Sequence, residues 1–316
     1  MRPNDSDFAF IVGHRKSGST WLLNLLSLHP DVRGVMETSL FEIAWREPDP
    51  RRRTEQVFTT TPWSRGGGLR ARIAHHLTNW AAPLLRSAKP ALELPPADRP
   101  ALLPDLALRD QISLRRTLEQ SPDPALYCRA FFDCLRDRLA PRRYLLEKSP
   151  RQVLEVEHIH AVFPTAKLIV IYRDGRDVVV SDSFFTRDYG GQAFSFENAV
   201  RAWRKDMEAQ FRYAEAHGIH ACSYESLLTD GRDVVRQVLD YLDLPYDEAL
   251  LTHLLDRSSF RYYTGRDPGQ ENRKRFYRKG IAGDWENHFT AEDKRIFKEI
   301  AGDLLIQLGY EKDLDW

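Results

Sequence analysis

Lys16 lies inside a glycine-bounded loop, Gly13-His-Arg-Lys-Ser-Gly-Ser-Thr20, that follows an apolar run at residues 8–12. Beyond it, Trp21, Leu22, Leu25, Leu26 and Leu28 fall on one helical face. A strand, a glycine loop and a helix N-terminus in this order make an anion site. Backbone N–H groups converge there, and the helix dipole adds about half a positive charge. The loop almost spells the triphosphate-binding pattern G-x-x-x-x-G-K-[ST]. Gly13, Gly18 and Thr20 match it, but Ser19 occupies the lysine position. The cation has moved to Lys16, which implies a different phosphate chemistry. The plainer reading of the same letters is a glycine turn with a solvated lysine.

Three further positions have side chains suited to anionic chemistry. Glu37 ends a turn-and-strand stretch, residues 31–38, and so lies at the usual ligand edge of an α/β sheet; a surface or capping glutamate is the alternative. Lys148 ends the strand-like Tyr-Leu-Leu-Glu-Lys run just before Ser149-Pro150. As a compact cation, it can meet charge as that charge develops. Residues 167–172 form a continuous apolar run, fit for a central parallel strand covered on both faces. A magnesium-holding strand would end in a carboxylate; this one ends in Arg173, followed by Asp-Gly-Arg-Asp177. A guanidinium offers a charge-assisted fork to phosphate, and Ser181 stands early in the next helical stretch. Asp177 fits an N-cap or first-turn role, while Asp174 and Arg176 suit fixing the turn.

Taken together, these motifs resemble the sulfotransferases that use 3′-phosphoadenosine-5′-phosphosulfate (PAPS). Arg15-Lys-Ser-Gly-Ser-Thr-Trp21 looks like the family's 5′-phosphosulfate loop. The resemblance implies cofactor contacts from Arg15, Lys16, Ser17, Gly18, Ser19, Thr20 and Trp21, with Lys16 at the oxygen bridging to the sulfuryl group. It likewise implies that Arg173 and Ser181 hold the 3′-phosphate, and that Tyr224 joins Trp21 near the adenine. Ordinary core packing is the alternative for Trp21 and Tyr224, and for Tyr224 it accounts for the residue equally well; Ser258 and Phe260 resemble the adenine-side segment. Arg278, Lys279 and Gly280, with Gly283 and Trp285, resemble the loop that closes over the 3′-phosphate.

The stretch from Leu28 to Thr38 is similar to the protein-tyrosine branch, whose glutamate before a threonine is the general base; carried over, that residue is Glu37. Lys148 matches the lysine that touches the sulfuryl oxygens. In the small-molecule branch a histidine follows that lysine, but Pro150 fills the slot here. His158 and His160 follow a helical stretch and read as packing or surface residues. The family's dimer segment runs from lysine to glutamate with a valine inside. Its counterpart here has Glu286 and Arg295 at the ends and Ala291 for the valine, so no dimer is carried over.

The elements that must position these groups alternate in the manner of an α/β chain. The expectation is one three-layer P-loop-like domain with a central, mostly parallel sheet. Residues 8–40 and 141–316 would form the nucleotide-binding core, and 41–140 a helical insertion shaping the acceptor site. The spacing predicts helices over 69–85, 101–118, 127–139, 196–217 and 291–308, with Gly218 and Gly309 as stops. Residues 51–53, three consecutive arginines, read as a solvated turn.

Lys+Arg and Asp+Glu balance at 46 each, so bulk charge gives no sign of a nucleic-acid partner. Cys128, Cys134 and Cys222 form neither a metal nor a disulfide framework, which favours a reducing compartment. No membrane-spanning run or leader is read, no metal is expected, and cytoplasmic is the default location. The expected reaction is sulfuryl transfer from PAPS to a hydroxyl, less readily an amine, of a small-molecule or natural-product acceptor. Its rivals are an ATP-dependent P-loop kinase and a non-catalytic nucleotide-binding protein of the same fold.

Overall fold

The computed structural model describes residues 8–61, 100, 101, 103–139, 143–186, 194–273, 275 and 277–316. Among the described residues five segments form strands: β1 Phe8–Gly13, β2 Val32–Met36, β3 Tyr144–Lys148, β4 Lys167–Tyr172 and β5 His220–Ser223. Their order in the sheet is β2-β3-β1-β4-β5, and the pairs β2–β3, β1–β3 and β4–β5 are parallel. Helices lie on both sides of the sheet. Runs such as Phe8–Gly13 lack polar alternation for this reason: every residue of β1 is buried. The expected α/β class with a central, mostly parallel sheet is therefore what the chain adopts.

The chain folds as two compact units. One comprises Thr20–Leu168 together with β1 up to Val12; the other comprises Gly13–Ser19 and Ile169–Trp316.

The first unit is built around aromatic side chains. Phe10 and Phe41 meet edge-on with centroids 5.8 Å apart, and Phe10 and Phe132 do so at 5.3 Å. Each such pair adds about 0.5–1.5 kcal/mol beyond its area burial. The register β2–β3 sets Val35 opposite Glu147 and Met36 opposite Lys148. That alignment brings the segment after β2 beside the end of β3. Gly34 must lack a side chain, because a Cβ there would overlap Ser27 Oγ.

The second unit packs helices Gly175–Phe185, Phe196–His217 and Ala291–Gln307 around Trp203 and Phe297, whose rings lie 5.7 Å apart. Helix Phe196–His217 ends at Gly218 in the left-handed conformation, as its sequence requires. Thr290 and Asp293 close a reciprocal capping box at the start of Ala291–Gln307.

Two expectations change. Residues 51–53 are not a turn but lie in helix Pro50–Thr59; Arg51 and Arg52 are exposed, while Arg53 is buried. Its guanidinium donates to the carbonyls of Glu47, Ser121 and Pro122 and lies over the Tyr127 ring. The cation satisfies carbonyls that would otherwise be stranded in the interior. The helix expected over 101–118 begins only at Leu108; before it, Ala101 bridges to Val35 and Leu103–Asp105 forms a short 3₁₀ turn. Ala101 thus continues the sheet edge, a pairing that helical periodicity cannot reveal. The helix expected over 69–85 lies outside the described residues. Among the described residues no helix is long and apolar enough to cross a membrane.

Candidate active site

In the first unit, the side chains with chemistry gather where β2 and β3 end. Lys148 is fully buried, and its ammonium donates to Glu37 and, at 3.0 Å, to Thr20 Oγ1. Glu37 keeps part of its surface open to solvent. A buried lysine is tolerable only when paired, and Glu37 is the carboxyl that its ammonium meets. Trp21 extends from helix Ser19–Ser27 and is half-buried. Glu147, the neighbour of Lys148, is also fully buried. Its Oε1 accepts from Thr38 N at 2.9 Å, Thr38 Oγ1 at 3.0 Å and Ser149 Oγ at 2.5 Å. Burial pushes its carboxyl up to about 7, against the opposing pull of those donors and of Lys148.

In the second unit, the loop Gly13–Ser19 is shaped by backbone conformations that few residues tolerate. Gly13, Lys16 and Gly18 all have positive φ. A Cβ at Gly18 would lie 2.7 Å from the Tyr224 ring, so only glycine lets the loop settle there. Two ion pairs tether the loop: His14 Nδ1 to Asp206 at 2.6 Å, and Arg15 to Asp182. The Lys16 ammonium sits over the Phe185 ring, 3.9 Å from its centroid. Ser17 Oγ is buried with no hydrogen-bond partner, which is costly unless an acceptor or donor arrives from outside.

Arg173 leaves β4 into the same unit and is nearly buried. One amino group donates to Asp177 Oδ2 at 3.2 Å and to the Ile281 carbonyl at 2.8 Å, while Nε has no partner. Its guanidinium stacks 4.2 Å from the centroid of the Tyr224 ring. Tyr224 is therefore packed between Gly18 and Arg173. Asp174 caps helix Gly175–Phe185 and forks onto Arg176, so these two fix the turn, and Asp177 occupies the first turn. Asp177 also accepts from the Gly283 and Trp285 amides, at 2.8 and 2.9 Å. Ser181 lies farther along the same helix and is half-buried.

The Arg278–Lys279 stretch folds onto this scaffold. Arg278 and Lys279 each reach the buried Asp284 at 2.5 Å, and His288 Nε2 lies 3.3 Å from it. Burial alone would raise that carboxyl, but the hydrogen bonds from Lys279 and Arg278 outweigh it and hold Asp284 well below the usual carboxylate range. Gly280 has positive φ, and a side chain there would strike Phe260. Two motifs read separately in the sequence, Ser258-Ser-Phe260 and Arg278-Lys279-Gly280, are thereby brought into contact. Ser258 itself is buried and donates to the Leu255 carbonyl at 3.4 Å.

Residues 9–248 match a family model described as the sulfotransferase family. The chain belongs to that family. Among curated relatives, sulfotransferase 2B1 of Mus musculus is 26% identical over 157 residues, covering 43% of this chain and 46% of the relative. The protein-tyrosine sulfotransferase of Drosophila melanogaster is 23% identical over 250 residues, covering 77% of this chain and 39% of that protein. The chain spans about half the length of the first curated relatives it matches, from 46% to 57%. In fold, it is similar to mouse sulfotransferase SULT7A1 complexed with PAP, with TM-score 0.54 and 14% identity, covering 95% of this chain and 85% of the other.

Within this family member, the sequence missed Glu147, Asp284 and the His14–Asp206 pair. Glu147 had a signal, a charge inside an otherwise apolar strand run; Asp284 had none beyond its place after Gly283.

Proposed function

We propose that this chain catalyses in-line sulfuryl transfer from PAPS to a hydroxyl of a small-molecule or natural-product acceptor. The observation that carries the reading is the unsatisfied cradle of the second unit. Ser17 Oγ and Arg173 Nε are buried without partners, beside a glycine-shaped loop and a cationic Arg278–Lys279 pair. Such a donor set fits a nucleotide bearing separate 5′ and 3′ anionic groups. When bound, PAPS supplies the sulfuryl group and a phosphate leaving group.

The residues then take distinct parts. The backbone of residues 13–19, with Arg15, Ser17, Ser19 and Thr20, binds the 5′ group. Lys16 meets charge on the departing oxygen, and Lys148 neutralises the sulfuryl oxygens. Arg173, Ser181, Arg278, Lys279 and the Gly280 amide bind the 3′-phosphate. Trp21, Tyr224, Ser258 and Phe260 border the adenine. Glu37 accepts the acceptor's proton, a role supported by its partly open side chain beside the Lys148 ammonium. Fixed positive charge and positioning supply most of the acceleration, as in related phosphoryl transfers. No group of three or more His, Cys, Asp or Glu able to hold a metal occurs among the described residues.

We read the chain as one catalytic domain acting in the cytoplasm, a placement supported by its three free cysteines, two of them buried. Calorimetry with 3′,5′-adenosine bisphosphate (PAP), adenosine 5′-monophosphate and adenosine triphosphate tests the cofactor class. A strong preference for PAP, weakened about 10- to 100-fold by Arg173→Ala, is the expected result. A preference for magnesium-bound triphosphate would overturn the proposal in favour of a kinase. PAP binding without transfer to any acceptor would leave a non-catalytic nucleotide-binding protein.

A further inference from the structure

We infer that Glu147 is a positioning residue for the general base: it latches the backbone that follows Glu37 so that the Glu37 carboxylate is presented to the acceptor hydroxyl. The inference deepens the base reading above and rests on it. Glu147 and Lys148 are successive residues of β3, so their side chains leave opposite faces of the sheet. Lys148 reaches Glu37 directly. Glu147 reaches the next residue, Thr38, through both its amide and its hydroxyl. Glu37 is thus fixed from two sides, its carboxylate by a cation and its chain by a buried carboxyl.

The latch extends further along the segment. Ser149 Oγ donates to Glu147 at 2.5 Å and accepts from the Ser39 amide at 3.0 Å. With its amide turned to satisfy both neighbours, Gln152 donates to Glu147 Oε2 at 3.3 Å and accepts from the Leu40 amide at 3.2 Å. Three consecutive amides, those of Thr38, Ser39 and Leu40, therefore end on one network centred on Glu147. The backbone needs such a hold, because Ser39 sits at φ 50°, a left-handed conformation that is strained for a residue with a side chain. Packing alone does not demand a carboxyl here, and a fully buried one is expensive unless it serves several donors. Every donor that meets Oε1 comes from residues flanking Glu37 or Lys148.

The test compares Glu147→Leu, Glu147→Gln, Thr38→Val and Ser149→Ala, each alone and with Glu37→Ala. PAP formation from PAPS is followed in single turnover with 4-nitrophenol or water as acceptor, alongside PAP affinity and amide hydrogen exchange. Glu147→Leu should lower the transfer rate roughly 30- to 100-fold, since an ångström of misplacement at a reacting group costs about that much. PAP affinity should stay within about 2-fold. Exchange at Thr38, Ser39 and Leu40 should rise about 10-fold or more while β1 stays protected. Glu147→Gln keeps an acceptor oxygen and should restore the rate to within about 5-fold of the parent. If Glu147→Leu does not fold, Thr38→Val and Ser149→Ala each cut one strand of the latch, and each should slow transfer about 3- to 10-fold.

On the Glu37→Ala background these changes should have no further effect on rate. Additive losses there would show that Glu147 acts by another route and would overturn the inference. Unchanged exchange at Thr38 through Leu40 in every variant would overturn it as well, whatever the rates. Near-normal transfer by Glu37→Ala alone would instead sink the base reading, a result separable from both.

Discussion

Glu147 in the first unit and Asp284 in the second are both buried carboxyls, and the two are treated in opposite ways. In the first unit Glu147 is surrounded by neutral donors, two from Thr38 and one from Ser149, and burial raises its pKa to about 7. In the second unit Asp284 meets two cations, Arg278 and Lys279, and its pKa is depressed. Both side chains are essentially without solvent contact. The difference teaches that burial alone does not set a carboxyl's charge; its partners do. Neutral donors use Glu147 to hold backbone in place. Cations use Asp284 to gather positive charge, which suits the anion binding proposed for the second unit, just as the neutral latch suits the proton transfer proposed for the first.

If this division holds, substitutions in the two units should separate in their kinetics. The largest effect is expected from Glu37→Ala, which should lower turnover with 4-nitrophenol about 10²-fold or more at saturating PAPS while leaving PAP affinity nearly unchanged. A parallel loss of PAP affinity would break the division. Lys16→Ala sharpens it, because Lys16 belongs to the cofactor loop yet is assigned to transition-state charge. Turnover should fall roughly 10²-fold, and near-normal turnover at saturating PAPS would remove that role.

The pH dependence of stability separates the two carboxyls themselves. Glu147 has a folded pKa raised from 4.5 to about 7, so its contribution is fully present below about 4.5 and is lost as pH rises through 7. Asp284 is depressed from 3.8, so its contribution is present above that value and is lost as pH falls through its lower folded value. Glu147→Gln should accordingly raise the melting temperature at pH 8 relative to the parent by about 2–4 °C, with little gain at pH 5. Equal shifts at both pH values would show that Glu147 is not the titrating group. The smallest effect is expected for Ser17→Ala. With its buried hydroxyl unpartnered in the free protein, the change should leave stability unaltered or slightly better while weakening PAP binding about 3- to 10-fold.

Much of this was legible from the chain. The apolar runs at 8–12 and 167–172 became central strands because burial on both faces, throughout β1 and over residues 168–171 of β4, leaves no alternation to misread. Helix Phe196–His217 ended at Gly218 because glycine adopts the left-handed cap without steric cost. The loop was legible through its glycines, each forced by a close approach or a positive φ. What escaped was contact between distant residues. Thr38 and Glu147 are 109 positions apart, and only the β2–β3 register brings them together. Arg53 escaped similarly: a run of three arginines is normally solvated, and no local rule shows that the Ser121 and Pro122 carbonyls await one of them. The extent of the helix expected over 101–118 was misread because Ala101 pairs with Val35 at the sheet edge.

Lys16 holds φ at 69°, a conformation that glycine or asparagine would adopt more cheaply by about 1 kcal/mol or more. Selection for thermal robustness and selection for turnover therefore pull in opposite directions at one codon. A library screened only for resistance to heat should drift toward glycine at position 16 and lose sulfuryl transfer as it does so. The same library screened for transfer should keep lysine and accumulate its stabilising changes elsewhere.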